Sequence, residues 1–402
     1  MCLDAVPASR VPLRGARASP ELADVLRIGL PGYVRKHKMP PQHHKVLAAI
    51  TKCRTPEMGG QLYRCSDCGK EHTTSHGCGN RHCPKCQGRQ ARLWLERQRE
   101  ALLPVPYFHI VFTLPHALNP LIRHNRALLY KLLFDCASAT LLEFAHNRFG
   151  GQGGLTAVLH TWSQQLTEHY HLHCIMPGGA FDSGKSEWMP SKSGYCFPVK
   201  ALSKVFRAKY RDGLRQLFDA GRLNLPDTNG GLSDFKQILR TALAKNWVVY
   251  AKAPFGGPAQ VLAYLSRYTH RVAIADTRIL AVNAIARTVT FKYRDYADAS
   301  KKKQATIGIE DFIHRFRSHI LPLRFCKIRH YGILSNATRK ANVAQIKAAI
   351  GPVPDQMRET SGEKSEDIDK CAGVPCCPNC GHDALVLVGT FVRRLSPIRK
   401  PP

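Results

Sequence analysis

The pattern of apolar and polar positions divides the middle of the chain into short strands and longer helices. Between residues 118 and 146, Leu121, Ile122, Leu128 and Leu132 recur at helical spacing. Residues 107–114 instead form a short apolar run that is typical of a buried strand. The same criteria predict helices at 89–103, 199–220, 232–245, 259–268 and 337–350, and strands at 155–162, 171–176, 247–251, 279–284, 288–293 and 305–309.

The order of these elements predicts the fold class. Strands and helices alternate without a strict βαβ repeat, and no internal repeat is visible. We therefore expect an α+β fold in which helices pack on one face of a sheet.

Changes in composition predict the domain boundaries. Residues 1–29 are rich in proline, alanine and arginine without periodicity, which predicts a mobile basic arm. Residues 30–103 are dense in cysteine and histidine and end in a helix, and 104–350 form the α+β domain. Residues 351–370 have few apolar side chains and predict a linker, and 371–402 form a cysteine-containing tail.

The charge balance changes this picture by pointing to a partner. The 402 residues include 59 Lys and Arg against 29 Asp and Glu, a formal net charge of +30. A polyanion is the expected partner, and nucleic acid is the commonest one.

The first residues lack the apolar run of a secretory signal, and no stretch approaches the roughly 18 apolar residues of a membrane helix. We expect a cytoplasmic protein, in which clustered cysteines bind metal more often than they form disulfides.

Two CxxC pairs carry the strongest local signal. Cys65-Ser-Asp-Cys68 and Cys83-Pro-Lys-Cys86 are separated by fourteen residues. Each pair can chelate from one tight turn, so the two pairs predict a tetrahedral zinc site with four thiolates. Such a closed site is structural, because the binding energy of zinc folds a segment that lacks its own core.

Two further sets of cysteine and histidine are candidate zinc sites. The first combines His43 or His44 with Cys53, Cys78 and His82, and the second is in the tail. Basic side chains around the CxxC pairs predict that this module docks on DNA. The tail ligands are Cys377 and Cys380 with Cys371, Cys376 or His382, and the basic side chains are Arg81, Lys85, Arg89 and Arg92.

A histidine-rich strand is the first candidate for catalytic chemistry. In His169-Tyr-His171-Leu-His173, strand alternation places the three imidazoles on one face. Neighbouring imidazoles on one face can share a divalent ion.

A pair of tyrosines is the second candidate. Tyr264 and Tyr268 are four residues apart, so on a helix their hydroxyls point the same way. A phenol with a pKa of about 10 is a weak nucleophile at neutral pH, and Arg267, His270 and Arg271 could assist it. With a metal beside it, a tyrosine oxygen can attack the phosphorus of a phosphodiester.

These features belong to a series of motifs that occur in a specific order. The motifs are Cys53-Arg-Thr55, Cys78-Gly-Asn-Arg-His-Cys-Pro-Lys-Cys86, Leu103-Pro-Val-Pro-Tyr-Phe-His109, Leu159-His-Thr-Trp162, His171-Leu-His-Cys174, Tyr264-Leu-Ser-Arg-Tyr-Thr-His-Arg271 and Arg329-His-Tyr-Gly332. Over residues 30–334, which these motifs span, the chain resembles the two-tyrosine, His-hydrophobe-His (HUH) rolling-circle transposases of bacterial insertion sequences.

The resemblance implies a fold and a mechanism. It implies a ferredoxin-like or RRM-like antiparallel sheet with helices, preceded by a small zinc-binding module. His171 and His173 would hold Mg²⁺ or Mn²⁺, with His160 or Gln164 as third ligand and His270 as an outside candidate. The two tyrosines would attack single-stranded or melted DNA at the element ends in turn and form 5′-phosphotyrosines. The DNA contacts would be Arg81, Lys85, Arg267, Arg271, Arg329 and His330.

Three other functions stay open at this point. A zinc-dependent hydrolase would also use an HxH site, but the sequence contains no HExxH motif. A non-enzymatic zinc-finger protein would explain the charge and the cysteines, but not the histidine strand with the tyrosine pair. A replication initiator or a relaxase would share the same site and chemistry.

Overall fold

The computed structural model of the protein describes residues 19–99, 101–191, 197–225, 232–252, 261, 268–296, 298–351 and 376–392. The helices in these ranges are α1 (Leu22–Lys36), α2 (Pro41–Lys52), α3 (Pro84–Arg99), α4 (Asn119–His124), α5 (Arg126–Phe149), α6 (Val199–Asp219), α7 (Leu232–Leu243), α8 (Ile309–Ser318) and α9 (Arg339–Ile350). The strands are β1 (Gly60–Cys65), β2 (Glu71–Ser75), β3 (Tyr107–Thr113), β4 (Gly154–Trp162), β5 (Glu168–Pro177), β6 (Gly179–Asp182), β7 (Glu187–Pro190), β8 (Val249–Lys252), β9 (Ile279–Asn283), β10 (Thr288–Asp295), β11 (Lys301–Gly308), β12 (Ile328–Gly332) and β13 (Leu385–Phe391).

Contacts divide the chain into two units that are discontinuous in sequence. The first unit comprises Met1–Gly88, Ile274–Arg317 and Lys364–Pro402, and the second comprises Arg89–Ala273 and Ser318–Glu363. This division differs from the contiguous domains predicted from composition, because residues 274–317 pack with the amino-terminal elements. Both units combine antiparallel sheets with helices, which confirms the predicted α+β class.

A five-stranded sheet forms the centre of the second unit. Its order is β12-β4-β5-β3-β8, and all neighbouring strands are antiparallel. Four of its strands confirm the strands predicted at 107–114, 155–162, 171–176 and 247–251. The sequence pattern did not predict β12, which adds the outer strand beside β4.

One face of this sheet carries the main apolar core. On β5, Leu172 and Cys174 are fully buried in a cluster that includes Phe134 of α5 and Phe206 of α6. Burying each such phenylalanine contributes roughly 1.5–3 kcal/mol to folding. Side chains alternate along a strand, so packing Leu172 against the helices places His171 and His173 on the opposite face.

A smaller apolar cluster covers one end of that opposite face. It joins Tyr107 of β3 and Ile175 of β5 to Val343 and Ile346 of α9. The histidines therefore lie on the same face of β5 as Ile175, two and four residues before it.

A short helix and a long helix of the second unit replace one predicted helix. The expected helix at 118–146 is divided into α4 and α5 at Asn125. The Asn125 amide donates to the carbonyls of Leu121 and Asn224, and its oxygen accepts from the Asn224 amide.

Among the described residues, no helix is both long and apolar enough to cross a bilayer.

The first unit begins with a helix where the sequence predicted a mobile arm. Leu22, Val25, Leu26 and Tyr33 of α1 are buried, so the expectation of a mobile arm is wrong for this part of residues 1–29, and residues 1–18 lie outside the described ranges. The pattern was hard to see because α1 contains Pro31 and two glycines. Gly29 is required by packing, since a Cβ there would collide with the Ile309 side chain of α8.

Two three-stranded antiparallel sheets complete the first unit. One has the order β11-β10-β9, and Phe291 of β10 packs its ring 5.9 Å from that of Phe312 of α8. The other has the order β13-β1-β2, which brings the carboxyl-terminal strand next to the strand that leads into Cys65.

Gly332 tests the packing of β12 in the second unit. It has a φ of 59°, and a Cβ there would collide with the carbonyl oxygen of Gly153 and lie 2.9 Å from Leu142 Cδ2. We expect Gly332→Ala to lower the free energy of unfolding by about 2 kcal/mol or more, measured by urea unfolding. Gly308→Ala is the control, because a Cβ there meets no atom within 4 Å. Equal losses in the two variants would show that the close approach is not a constraint.

Candidate active site and thiol clusters

Three histidines come together on one face of the central sheet. His160 of β4 lies opposite His171 of β5 in the antiparallel register, and His173 is two residues further along β5. One ring nitrogen of each histidine is available as a metal ligand, and these nitrogens all lie within 4.8 Å of one another. A divalent ion at about 2.1 Å from each nitrogen holds its ligands about 3 to 4 Å apart, so small ring rotations complete such a site.

Hydrogen bonds orient one nitrogen of each imidazole toward this centre. His171 Nδ1 donates to the His169 carbonyl at 2.9 Å, and His160 Nε2 donates to the Tyr268 carbonyl at 2.8 Å. His173 Nδ1 lies 2.9 Å from His109 Nε2. We assign the proton of this last bond to His173 Nδ1. The nitrogens left for a metal are then His160 Nδ1, His171 Nε2 and His173 Nε2.

Burial keeps the three imidazoles neutral. It lowers the pKa of His171 to about 3, helped by the charge of His169, and lowers the pKa values of His160 and His173 well below 6.5. Neutral imidazoles present the lone pairs that a metal needs, so the donor set fits a divalent ion at neutral pH.

The remaining candidate ligands lie elsewhere. Gln164 lies in the turn between β4 and β5. His169, which strand alternation placed on the same face as His171 and His173, has its Nδ1 3.1 Å from His116 Nε2. The three-histidine group among the described residues contains neither His169 nor His270. The ring of His270 is 5.9 Å from that of Trp94.

Tyr268 packs directly against the histidine group. Its ring centroid lies 4.4 Å from that of His173 and 5.9 Å from that of His160. Its carbonyl also accepts the hydrogen bond that orients His160. Tyr264 and Arg267 lie outside the described residues, so the prediction of a tyrosine pair stays a prediction.

Sequence reasoning gave no role to His109, which the structure places behind His173. The two rings stack with centroids 5.1 Å apart and planes 10° apart, and His109 is 3% exposed. Burial, with the nearby charge of Lys252, lowers the pKa of His109 to about 4. A signal was present: Phe108, Ile110 and Phe112 alternate as core residues, so a histidine between them must face the other side of β3.

The basic residues predicted to contact DNA have different surroundings. Arg271 and Lys327 are close enough to His160 for their charges to lower its pKa further, and Lys327 Nζ donates to the Arg271 carbonyl at 3.3 Å. His330 Nδ1 lies 2.9 Å from Thr156 Oγ1. The Arg329 guanidinium instead stacks over Phe134 at 4.3 Å from its ring centroid.

Lys85 and Arg81 belong to the first unit. Lys85 Nζ lies 2.5 Å from Glu21 Oε2, and its side chain is 8% exposed. Lys85 is therefore largely buried in an ion pair, which does not favour the DNA contact predicted from the sequence. Arg81 is half-buried.

Eight of the cysteines in the described ranges form two four-thiol clusters, and the predicted ligand sets are wrong. Cys65 and Cys68 do not join Cys83 and Cys86. The first thiol cluster comprises Cys53, Cys78, Cys83 and Cys86, and the second comprises Cys65, Cys68, Cys377 and Cys380. Neither contains His44, His82 or His382, and Cys371 lies outside the described residues.

The sulfur separations fit tetrahedral zinc. Cys86 Sγ lies 3.6 Å from Cys53 Sγ and 3.8 Å from Cys78 Sγ. Four thiolates at about 2.3 Å from zinc are about 3.8 Å apart. Hydrogen bonds from the thiols of Cys78 and Cys83 lower the pKa of Cys53 to about 2, and the same contacts raise the pKa of Cys78 to about 12 and that of Cys83 further, so the neighbouring thiols stabilise one thiolate at Cys53.

One feature of the sequence indicates which CxxC pairs belong to the same cluster. Cys68 and Cys380 are each followed by a glycine, whereas Cys86 is followed by Gln87. Gly69 and Gly381 adopt φ values of 70° and 78°, which favour glycine. The two CxxCG turns match each other, and they are the pairs that the structure brings together.

Two family models match the chain. The model described as putative transposase matches residues 154–342, which include the three histidines and Tyr268. The model of the transposase zinc-binding domain matches residues 25–114, which include the whole first thiol cluster.

Two relatives that match most of the chain are also named transposases. The chain is 37% identical over 386 residues to the putative transposase y4qJ of Sinorhizobium fredii, covering 94% of this chain and 96% of the relative. It is 28% identical over 320 residues to the transposase for insertion sequence element IS801 of Pseudomonas savastanoi pv. phaseolicola, covering 77% and 76%. No solved structure matches the chain.

His319 provides a test of histidine burial in the second unit. It is 2% exposed, donates from Nε2 to the Leu166 carbonyl at 3.0 Å, and burial lowers its pKa to about 4. Its folded pKa lies below the unfolded value of about 6.5, so its contribution is complete above pH 6.5 and is lost as the pH falls toward 4. Lowering the pH from 6.5 to 4.5 should reduce the free energy of unfolding of both proteins. We expect this reduction to be about 2 kcal/mol smaller in His319→Gln, which keeps a hydrogen-bond donor, than in wild type.

Urea unfolding at the two pH values measures this difference. Comparing variant with wild type cancels the titration of the carboxylates, which change in the same range. Parallel losses in both proteins would contradict the assignment of a buried neutral imidazole at this position.

Proposed function

Because the chain belongs to the IS91 family of rolling-circle transposases, we propose that it nicks and rejoins single-stranded DNA at insertion-sequence ends through a tyrosine-linked intermediate. The observation that carries the proposal is the contact of Tyr268 with the three-histidine group. A phenol 4.4 Å ring-to-ring from a metal-ligating imidazole is placed to attack a phosphate bound at the same centre.

The donor set supports a catalytic Mg²⁺ or Mn²⁺ held by His160, His171 and His173. Held by these three residues, such an ion would polarise the scissile phosphate. Three neutral imidazoles favour Mn²⁺ over Mg²⁺, since Mg²⁺ prefers oxygen ligands.

The covalent step exchanges one phosphate ester for another. The Tyr268 oxygen forms a bond to phosphorus while the bond from phosphorus to the 3′ oxygen breaks, and the proton lost by the phenol is balanced by the proton that the departing 3′ oxygen takes up. The 5′ end then stays on the protein and a 3′ hydroxyl is released. Attack by a 3′ hydroxyl on the phosphotyrosine reverses the step and rejoins the strand.

Nearby cations complete the environment for a DNA strand. Arg271 and Lys327 place positive charge beside the histidines, which attracts a phosphate. The net charge of +30 supplies the wider attraction for the DNA backbone.

The second tyrosine enters the proposal from the sequence alone. Tyr264 precedes Tyr268 by four residues, and in our scheme each attacks one phosphate so that two strand ends are handled by one site. The names of the relatives favour a transposase over a replication initiator or relaxase, which would share this chemistry.

The first thiol cluster has a structural role in this scheme. We assign to it the zinc ion of the family's zinc-binding domain, with Cys53, Cys78, Cys83 and Cys86 as ligands. Four thiolates leave no open position, so this ion stabilises the first unit and takes no part in strand cleavage.

A covalent-adduct assay tests the proposed nucleophiles. The full chain is incubated with a 5′-labelled and a 3′-labelled single-stranded element end and Mn²⁺ or Mg²⁺, and adducts are separated on denaturing gels. We expect an adduct on the 5′ end of the cleaved product with wild type and with Tyr250→Phe, an exposed tyrosine of β8 in the same sheet. The Tyr264→Phe/Tyr268→Phe variant should form none.

Single variants show whether both tyrosines or only one of them act as nucleophiles. We expect Tyr264→Phe and Tyr268→Phe each to form an adduct while neither supports complete transposition. Wild-type transposition by either single variant would remove that tyrosine from the mechanism. An adduct formed by the double variant, or by none of the proteins, would contradict the proposal itself.

His109 is expected to act as a positioning residue for the metal. His109→Ala leaves His173 Nδ1 without its partner, so Mn²⁺ affinity should fall about 10- to 100-fold. His109→Gln keeps an acceptor for the Nδ1 proton and should recover most of the affinity. His319→Gln is the matched control, because it changes an equally buried histidine outside the group.

Mn²⁺ binding followed by electron paramagnetic resonance gives the affinities directly. Unchanged affinity in His109→Ala, or an equal loss in His319→Gln, would show that His109 is a packing residue only.

A further inference from the structure

We infer that Cys65, Cys68, Cys377 and Cys380 bind a second structural zinc ion, which joins the carboxyl-terminal segment to the amino-terminal zinc-binding domain. The family model of that domain ends at residue 114, so half of this ligand set lies beyond it. The inference concerns folding of the first unit and is independent of the nicking chemistry proposed above.

The four sulfurs have the separations of a tetrathiolate site. Cys65 Sγ lies 3.6 Å from Cys380 Sγ, and Cys68 Sγ lies 3.6 Å from Cys377 Sγ. Zinc at about 2.3 Å from four thiolates requires about 3.8 Å. Each of these two contacts joins a cysteine of one segment to a cysteine of the other. Because each segment supplies only two of the four ligands, neither segment alone can form the site.

The two segments present the same turn. Gly69 N donates to the Cys65 carbonyl at 2.9 Å, and Gly381 N donates to the Cys377 carbonyl at 2.8 Å. The amide of each first cysteine donates in turn to the residue after the glycine, Cys65 to Lys70 and Cys377 to His382. Matching CxxCG turns that face each other are the arrangement of a closed zinc site built from two knuckles.

Polar side chains connect the two turns around the sulfurs. His72 Nε2 lies 3.3 Å from Cys377 Sγ. His382 Nδ1 lies 2.9 Å from Asp67 Oδ2, and Lys70 Nζ donates to Asn379 Oδ1 at 2.8 Å. Each contact links one segment to the other, as outer-shell partners of a metal site do.

Hydrophobic burial is too small to hold this junction by itself. Its buried cluster consists of Cys65, Cys377 and Leu385, and two of these are proposed ligands. The antiparallel strand β13 pairs with β1 from Leu385 to Phe391, yet its Val386 and Leu387 are 55% and 50% exposed. A metal ion therefore supplies what the small core lacks.

Zinc content measured on the purified full chain tests the inference. We expect two zinc ions per chain in wild type and one in Cys377→Ser/Cys380→Ser. Cys376→Ser is the matched control and should keep two, because Cys376 is adjacent, exposed and outside the cluster. One zinc ion in wild type, two in the double variant, or iron in place of zinc would overturn the inference.

A second measurement uses wild type only, so it does not depend on the folding of a variant. Alkylation followed by mass spectrometry should modify Cys376 at once, while Cys65, Cys68, Cys377 and Cys380 react together after a chelator is added. Rapid alkylation of Cys377 and Cys380 in the zinc-loaded protein would exclude them as ligands.

Discussion

The register between β4 and β5 is the constraint on which the candidate active site depends. It sets His160 opposite His171, while Leu159 and Leu172, opposite each other on the other face, are buried in the main core. A slip of one residue would exchange the two faces of a strand and bury its histidines among the aromatic rings. Packing of α5 and α6 on the apolar face therefore also fixes the position of the imidazoles.

Burial gives these imidazoles the properties that the proposed chemistry uses. It keeps His160, His171 and His173 neutral, so they can bind a cation although the protein is strongly basic. Tyr268 both orients His160 through its carbonyl and packs its ring on His173. Tyr268 thus contacts the histidine group through both its backbone and its ring, so any displacement of this residue would disturb both contacts.

Much of this arrangement could be predicted from the sequence, because it depends on local periodicity. Alternation in 171–176 placed His171 and His173 on one face, and β3, β4 and β5 were predicted close to their observed bounds. The choice between His160 and Gln164 stayed open because the register between two strands cannot be read from either strand alone. The grouping of the cysteines into ligand sets was predicted wrongly for a related reason. Cys377 reaches Cys68 across 309 positions of sequence, through a pairing of β13 with β1 that no local pattern shows.

Anomalous diffraction from crystals of the full chain containing Mn²⁺ tests the central claim most directly. The account predicts a manganese peak about 2.1 Å from His160 Nδ1, His171 Nε2 and His173 Nε2, with the Tyr268 ring against His173. A peak bonded to His171 and His173 but with Gln164 in the place of His160 would contradict the role given to the β4–β5 register. Manganese bound only elsewhere would contradict the assignment of a metal to this group.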